Sequence, residues 1–137
     1  MSDEVEYLPA PHPDFAAHFS DPIYEDVSDD STPFGSDEAA DEVYDWMDRG
    51  VGPHLTLRDM LAESFGEDMD IDNLDFDDEP LAPVTIALGF LLLRVNGRLE
   101  PEGRAAVLKA LDWYKGYLGP AAVNLDKAKA DLQSYPG

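Results

Sequence analysis

The chain contains no cysteine among its 137 residues, which excludes disulfide bridges and thiolate metal sites and fits a reducing compartment. Basic residues are scarce. Nine Lys and Arg stand against 30 Asp and Glu, with three His, for a formal net charge of −21. Direct nucleic-acid binding, which depends on Lys and Arg contacts to phosphate, is not expected from such a balance. Long apolar runs are missing too. The longest, Leu81 to Val95, is interrupted by Pro83 and Arg94. It falls short of the roughly 20 residues a bilayer helix needs and reads as a buried helix. The opening Met1-Ser2-Asp3-Glu4-Val5-Glu6 is acidic and lacks the apolar stretch of a secretory signal. A cytoplasmic protein without membrane association is the expectation.

Catalytic signatures are equally thin. There is no nucleophile elbow, phosphate loop or dinucleotide-binding glycine turn. His12 and His18 lie in a proline-rich stretch and His54 in a Gly-Pro loop, and no pair of carboxylates stands out for acid–base work. These absences point to a protein that is not an enzyme and acts by binding.

What the chain does have is acid, unevenly placed. Residues 1–80 hold 25 of the acidic residues and two bases, Arg49 and Arg58, whereas residues 81–137 hold five acids against seven bases. Adaptation to salt would spread acid over the whole surface. An acidic front joined to a near-neutral rear is what a recognition surface for a basic partner predicts, with plain solvation as the competing account.

The hydrophobic pattern is helical throughout and predicts an all-α fold, a small bundle of about five helices with an irregular acidic N-terminal arm. Residues 1–33 form the arm. Pro9, Pro11, Pro13, Pro22 and Pro33 oppose a helix there, and Phe15, Phe19, Tyr24 and other apolar residues are expected to dock on the domain or on a partner. The helical domain covers residues 34–137. Ser36 caps a first helix over residues 37–48, whose apolar stripe is read as Ala39, Ala40, Val43, Tyr44 and Met47, with Trp46 at its edge. Thr56 caps a second over 57–65, with Gly66 as terminator. A third over 83–95 is apolar almost all round and belongs at the centre of the bundle. A fourth spans 101–115 and a fifth 120–133, separated by Gly116 and Gly119-Pro120.

Phe34-Gly35-Ser36-Asp37-Glu38-Ala39-Ala40-Asp41, running into Tyr44-Asp45-Trp46, resembles the opening of small bacterial proteins grouped as domain of unknown function 4259. The apolar helix ending in Asn96-Gly97-Arg98-Leu99, followed by Pro101-Glu102, is similar in layout to the same family, so the resemblance covers roughly residues 33–112. Ser31-Thr32-Pro33 replaces the Trp-Gly pair that usually precedes the motif. The family has no established activity, and the resemblance implies no catalytic residue.

Two constellations are candidates for function. The stretch from Asp68 to Glu79 places Asp68, Asp70, Asp72 and Glu79 at positions 1, 3, 5 and 12 of an EF-hand-like loop, a spacing that could hold calcium. Asn73 at position 6, Asp75 at position 8 and Pro80 and Pro83 just beyond depart from that pattern. The same carboxylates, spaced along a surface, can imitate phosphates. Asp41, Asp45 and Asp48 on the first helix, with Asp68, Asp70, Asp72, Asp75, Asp77 and Asp78 on the loop, could occupy a basic channel, and Trp46 with Tyr44 could imitate stacked bases. The expected function is therefore an inhibitor or adaptor of the immunity, anti-defence or nucleic-acid-mimic type. It would bind a basic, nucleic-acid-handling protein without a cofactor. A calcium-binding protein and a structural subunit of an assembly are the alternatives.

Overall fold

A computed structural model describes residues 10–26, 31–35, 37–66, 70–77 and 81–135. Among these, six α-helices occur in the order α1 Pro13–His18, α2 Asp37–Arg49, α3 Leu57–Phe65, α4 Leu81–Asn96, α5 Pro101–Leu118 and α6 Val123–Ser134, with short 3-10 turns at Pro22–Tyr24 and Gly119–Ala121. No strand is present among the described residues. The chain is an all-α bundle.

Helix α4 is its axis. Its residues from Leu81 through Arg94 are all buried, and α5, α2, α3 and α1 pack against it. α6 packs on the outer side of α5. A helix with no polar face cannot stop at a surface, so its neighbours surround it. α4 begins at Leu81 rather than at Pro83. The proline sits in the first turn, where amide hydrogens have no intrahelical acceptor and a missing one costs little.

The other boundaries follow local chemistry. Thr56 accepts a hydrogen bond from the Asp59 amide at 3.1 Å and so caps α3, and Gly66, with φ +72°, closes it in the left-handed region. α5 passes through Gly116 and ends at Gly119. A single glycine inside a helix costs only about 1 kcal/mol against alanine, and the contacts of Tyr114 and Leu118 with the core oppose that cost. Pro120 opens a 3-10 turn, so α6 starts at Val123 instead of at the proline. Ser36, expected as a cap, lies outside the described residues.

The N-terminal segment departs most from expectation. Pro13 takes the first position of α1, and the His12 ring nitrogen accepts from the Asp14 amide at 3.1 Å. A proline there starts a helix rather than preventing one. Phe15, Phe19 and Tyr24 are buried in the same core as α4. Phe19 meets Phe90 edge-on with ring centroids 5.6 Å apart, and Tyr24 stacks on Phe90 at 5.6 Å. The arm's aromatics thus dock on the bundle itself.

Polar contacts hold the segment in place. The His12 amide donates to the Arg94 carbonyl at 2.6 Å, and Arg94 forms a bidentate pair with Glu25 at 2.5 and 3.2 Å. Arg94 is 3% exposed and is the only charged side chain in the described core, so its partner must come to it. Tyr24 donates to the Asp131 carboxylate at 2.7 Å, and a His18 ring nitrogen lies 2.7 Å from the Asp131 carbonyl. Tyr135 donates to the Gly97 carbonyl at 2.5 Å, and Arg104 donates to the carbonyls of Leu132 and Tyr135. The N-terminal segment is thereby tied to the end of α4 and to α6, and the C-terminal residues to the turn after α4 and to α5.

At Gly89 the side chain of Val107 on α5 lies close against α4. A β-carbon there would lie 2.4 Å from Val107 Cγ2, and a branched side chain cannot swing away. Gly89→Ala is expected to destabilise the fold by about 1–3 kcal/mol in chemical denaturation, and an unchanged midpoint would show that the crossing is loose. Tyr24 provides a second check. Burial first, then the bond to Asp131, pushes its phenol well above the usual range. A folded-state pKa raised in this way gives a contribution that is intact below about pH 10 and is lost at higher pH. Stability should decline above that point, and Tyr24→Phe should flatten the decline. Equal alkaline slopes for the two proteins would contradict this.

A candidate acidic interface

On α2 the core face is Ala39, Val43 and Trp46, all buried. These residues follow one another by four and three positions, the spacing of one helical face. Fixing that face inward turns Asp41, Asp45 and Asp48 outward, and all three are exposed. They too are spaced by four and three, so they form a row about 10 Å long at 1.5 Å rise per residue. Arg49 bonds Asp45 at 2.8 Å and reaches Glu63 of α3 at 3.6 Å. Asp41 and Asp48 flank that pair.

Trp46 does not belong to this surface. It is 6% exposed, its indole N–H donates to Ser64 of α3 at 3.0 Å, and the Arg49 guanidinium lies over its ring at 4.8 Å. Its expected role as an imitation of a stacked base is corrected: the side chain joins α2 to α3. Tyr44, read from the sequence as part of the apolar stripe, is 54% exposed. The inward stripe is rotated from the one expected because Trp46 offers more apolar area than Tyr44 and its single N–H finds a partner inside.

The Asp-rich loop is built of hydrogen-bonded turns. Asp70 accepts from the Asp72 amide at 3.2 Å and from the Asn73 side chain at 3.0 Å, and Asp75 accepts from the Asp77 amide at 3.0 Å. Such turns are what Asp and Asn favour in loops. Ile71 is buried, and Leu74 and Phe76 pack against the core, so the apolar positions lie inward while Asp70, Asp72, Asp75 and Asp77 are exposed. Asp77 also accepts from the Trp113 indole N–H at 3.0 Å, which ties the loop to α5. Asp68, Asp78 and Glu79 lie outside the described residues. Among the described residues, no group of three or more His, Asp or Glu is arranged to hold a metal ion. Both carboxylate oxygens of Asp70 serve the turn.

Most of the bases are engaged within the molecule. Arg94 pairs with Glu25, Lys115 with Asp126 at 2.7 Å, Lys127 with Asp131 at 2.9 Å and Lys129 with Asp112 at 2.6 Å. Arg98 donates to the Pro53 carbonyl at 2.6 Å. Acids outnumber bases along both elements, six to one over residues 37–49 and four to none over residues 70–77.

A shallow open cleft of about 290 Å³ lies between the turn before α3 and the turn before α5, lined in part by His54, Arg98 and Glu100. Its polar groups serve the fold. The two Glu100 oxygens accept from the Leu57 and Arg58 amides at 3.0 and 3.1 Å, so the carboxylate caps α3 from a distance and complements its dipole. Gly103 leaves the room, because a β-carbon there would lie 2.7 Å from Glu100 Oε1. Sequence reasoning missed this cap, which joins residues far apart in the chain. It also missed Trp113 and Tyr117, whose i, i+4 spacing on one helix was the available signal.

The chain is similar to the uncharacterized protein YfeS of Escherichia coli (strain K12), at 31% identity over 97 residues. That stretch is 71% of this chain and 32% of YfeS, so the chain matches about a third of its relative's length. No protein-family model matches the chain, and no solved structure does. No helix among the described residues is long and apolar enough to cross a membrane.

The loop turns can be read out by titration. The bond from Asn73, then that from the Asp72 amide, holds the Asp70 carboxyl below the usual carboxylate range. Because this pKa is depressed, the turn's contribution is present above about pH 4 and is lost as pH falls through the lower folded value. By NMR Asp70 should titrate below the ordinary aspartate value, and Asn73→Ala should raise it. No movement on that substitution would show that the turn is not what holds the carboxylate.

Proposed function

We propose that this chain is a non-catalytic acidic binding protein, an inhibitor or adaptor that covers a basic surface of a nucleic-acid-handling protein. The observation that carries the reading is the outward row of Asp41, Asp45 and Asp48, set by the inward packing of Ala39, Val43 and Trp46. Its carboxylates recur about every 5 Å. The phosphates of one DNA strand recur about every 3.4 Å along the axis, a spacing of the same order. A surface evolved to grip phosphate through Lys and Arg meets a similar pattern of charge here. Asp70, Asp72, Asp75 and Asp77 extend the acidic area on a second element.

Charge complementarity of this kind gives fast, salt-sensitive association and disfavours acidic partners. The proposal includes the immunity, anti-defence and nucleic-acid-mimic types, with a cytoplasmic location and no direct nucleic-acid contact. Kinship with domain of unknown function 4259 over residues 33–112 is part of it and assigns no catalytic residue.

The test uses the tagged full chain as bait at low and high salt, beside a variant carrying Asp41→Lys, Asp45→Lys and Asp48→Lys. A basic nucleic-acid-handling protein should be retained at low salt, released at high salt and displaced by duplex DNA. The triple reversal should weaken its binding by at least about tenfold, on the magnitudes of interfacial charge pairs. Retention that ignores salt, DNA and the reversal would overturn the proposal, as would capture of no basic protein.

A further inference from the structure

Resting on that reading of an acidic protein with a basic partner, we propose that the aromatic row at the C-terminal end of α5 is the anchor on which an arginine side chain of the partner docks. Trp113 and Tyr117 stack with centroids 5.4 Å apart and planes 13° from parallel, and Tyr114 continues the row at 5.9 Å and 9°. Tyr114 is 6% exposed and roots the row in the core, whereas Tyr117 is 61% exposed. Large hydrophobic side chains are otherwise withdrawn from water in the described structure, apart from Tyr44 on α2.

The chemistry around the rings selects the ligand. The Trp113 indole N–H is held by Asp77, which fixes the ring plane and brings a carboxylate to its edge. On the same stretch of the bundle Lys115 is held by Asp126 and Lys129 by Asp112, so these cations are offset. Asp75 and Asp77 add negative charge that is not offset in this way. A ring face beside a carboxylate suits a guanidinium, which stacks by its plane and forks its N–H groups toward an anion. A lysine ammonium is compact and strongly hydrated and uses a ring face less well. A nucleobase could stack on Tyr117, but its phosphates would meet the carboxylates of the loop. The anchor lies on different elements from the α2 row, so a partner spanning both would be read by charge at one place and by side-chain type at the other.

The experiment titrates the full chain with oligo-arginine and oligo-lysine peptides of equal length. Affinity is followed by calorimetry, and the Trp113 indole N–H resonance by NMR. The arginine peptide should bind about threefold to fivefold more tightly, as an exposed cation–π contact allows, and should shift the Trp113 resonance. Tyr117→Leu, a surface change that keeps apolar bulk, should abolish the preference. Reversal of charge on α2 should weaken both peptides alike and leave their ratio intact. Equal affinities in the unmodified protein, or a preference that survives Tyr117→Leu, would overturn the proposal. Loss of partner capture on α2 reversal without an arginine preference would refute this anchor alone. An arginine preference with capture indifferent to α2 reversal would refute only the broader reading.

Discussion

An apolar helix of sixteen residues has no side on which to meet water, and the burial of α4 is the constraint from which the other positions follow. α5, α2 and α3 pack against it, and the N-terminal segment supplies Phe15, Phe19 and Tyr24 beside them. Phe90 receives the rings of Phe19 and Tyr24. A segment rich in proline and acid is thereby drawn into the core, because leaving apolar surface in water costs more than ordering the segment.

The same constraint separates the charges. With α4 dry, one base at its end, Arg94, is enclosed and takes Glu25 from the N-terminal segment as its partner. On the outer helices, Arg104 donates to carbonyls at the end of α6, and Lys115, Lys127 and Lys129 each pair with one carboxylate. Asp41, Asp45 and Asp48 of α2 and the acids of the loop from Asp70 to Asp77 are exposed on elements whose apolar sides are committed to the core. Acidity along the sequence thus becomes two exposed acidic areas through packing rather than through mutual attraction.

Much of this was legible in advance, for identifiable reasons. Thr56 with Gly66 bounded α3 correctly because capping depends on residues within one turn. The all-round apolar pattern placed α4 at the centre because no other environment suits it. The row of Asp41, Asp45 and Asp48 was readable because a helix repeats every 3.6 residues. The helix at Pro13 was missed because proline opens helices as readily as it interrupts them, and the choice depends on what the following turn can bury. Trp46 turns inward and Tyr44 outward because both lie close to the stripe, and the larger apolar area of Trp46, with Ser64 of α3 as partner for its N–H, decides between them. The Asp-rich stretch read as an EF-hand-like loop owes its described conformation to short local turns and to the buried Ile71.

The sequence alone determined the helical class, the bounds of α3, the acidic front half and the exposed carboxylate row. Each of these depends on residues within a few positions of one another. Tertiary structure decided the rest: the docking of the N-terminal aromatics on Phe90, the Glu100 cap over the start of α3, the burial of Trp46, and the tie between Asp77 and Trp113. Those depend on groups 36 or more positions apart in the cases of Asp77 with Trp113 and Glu100 with Arg58. Periodicity carries no information about which distant group will arrive to complete a hydrogen bond or a ring contact.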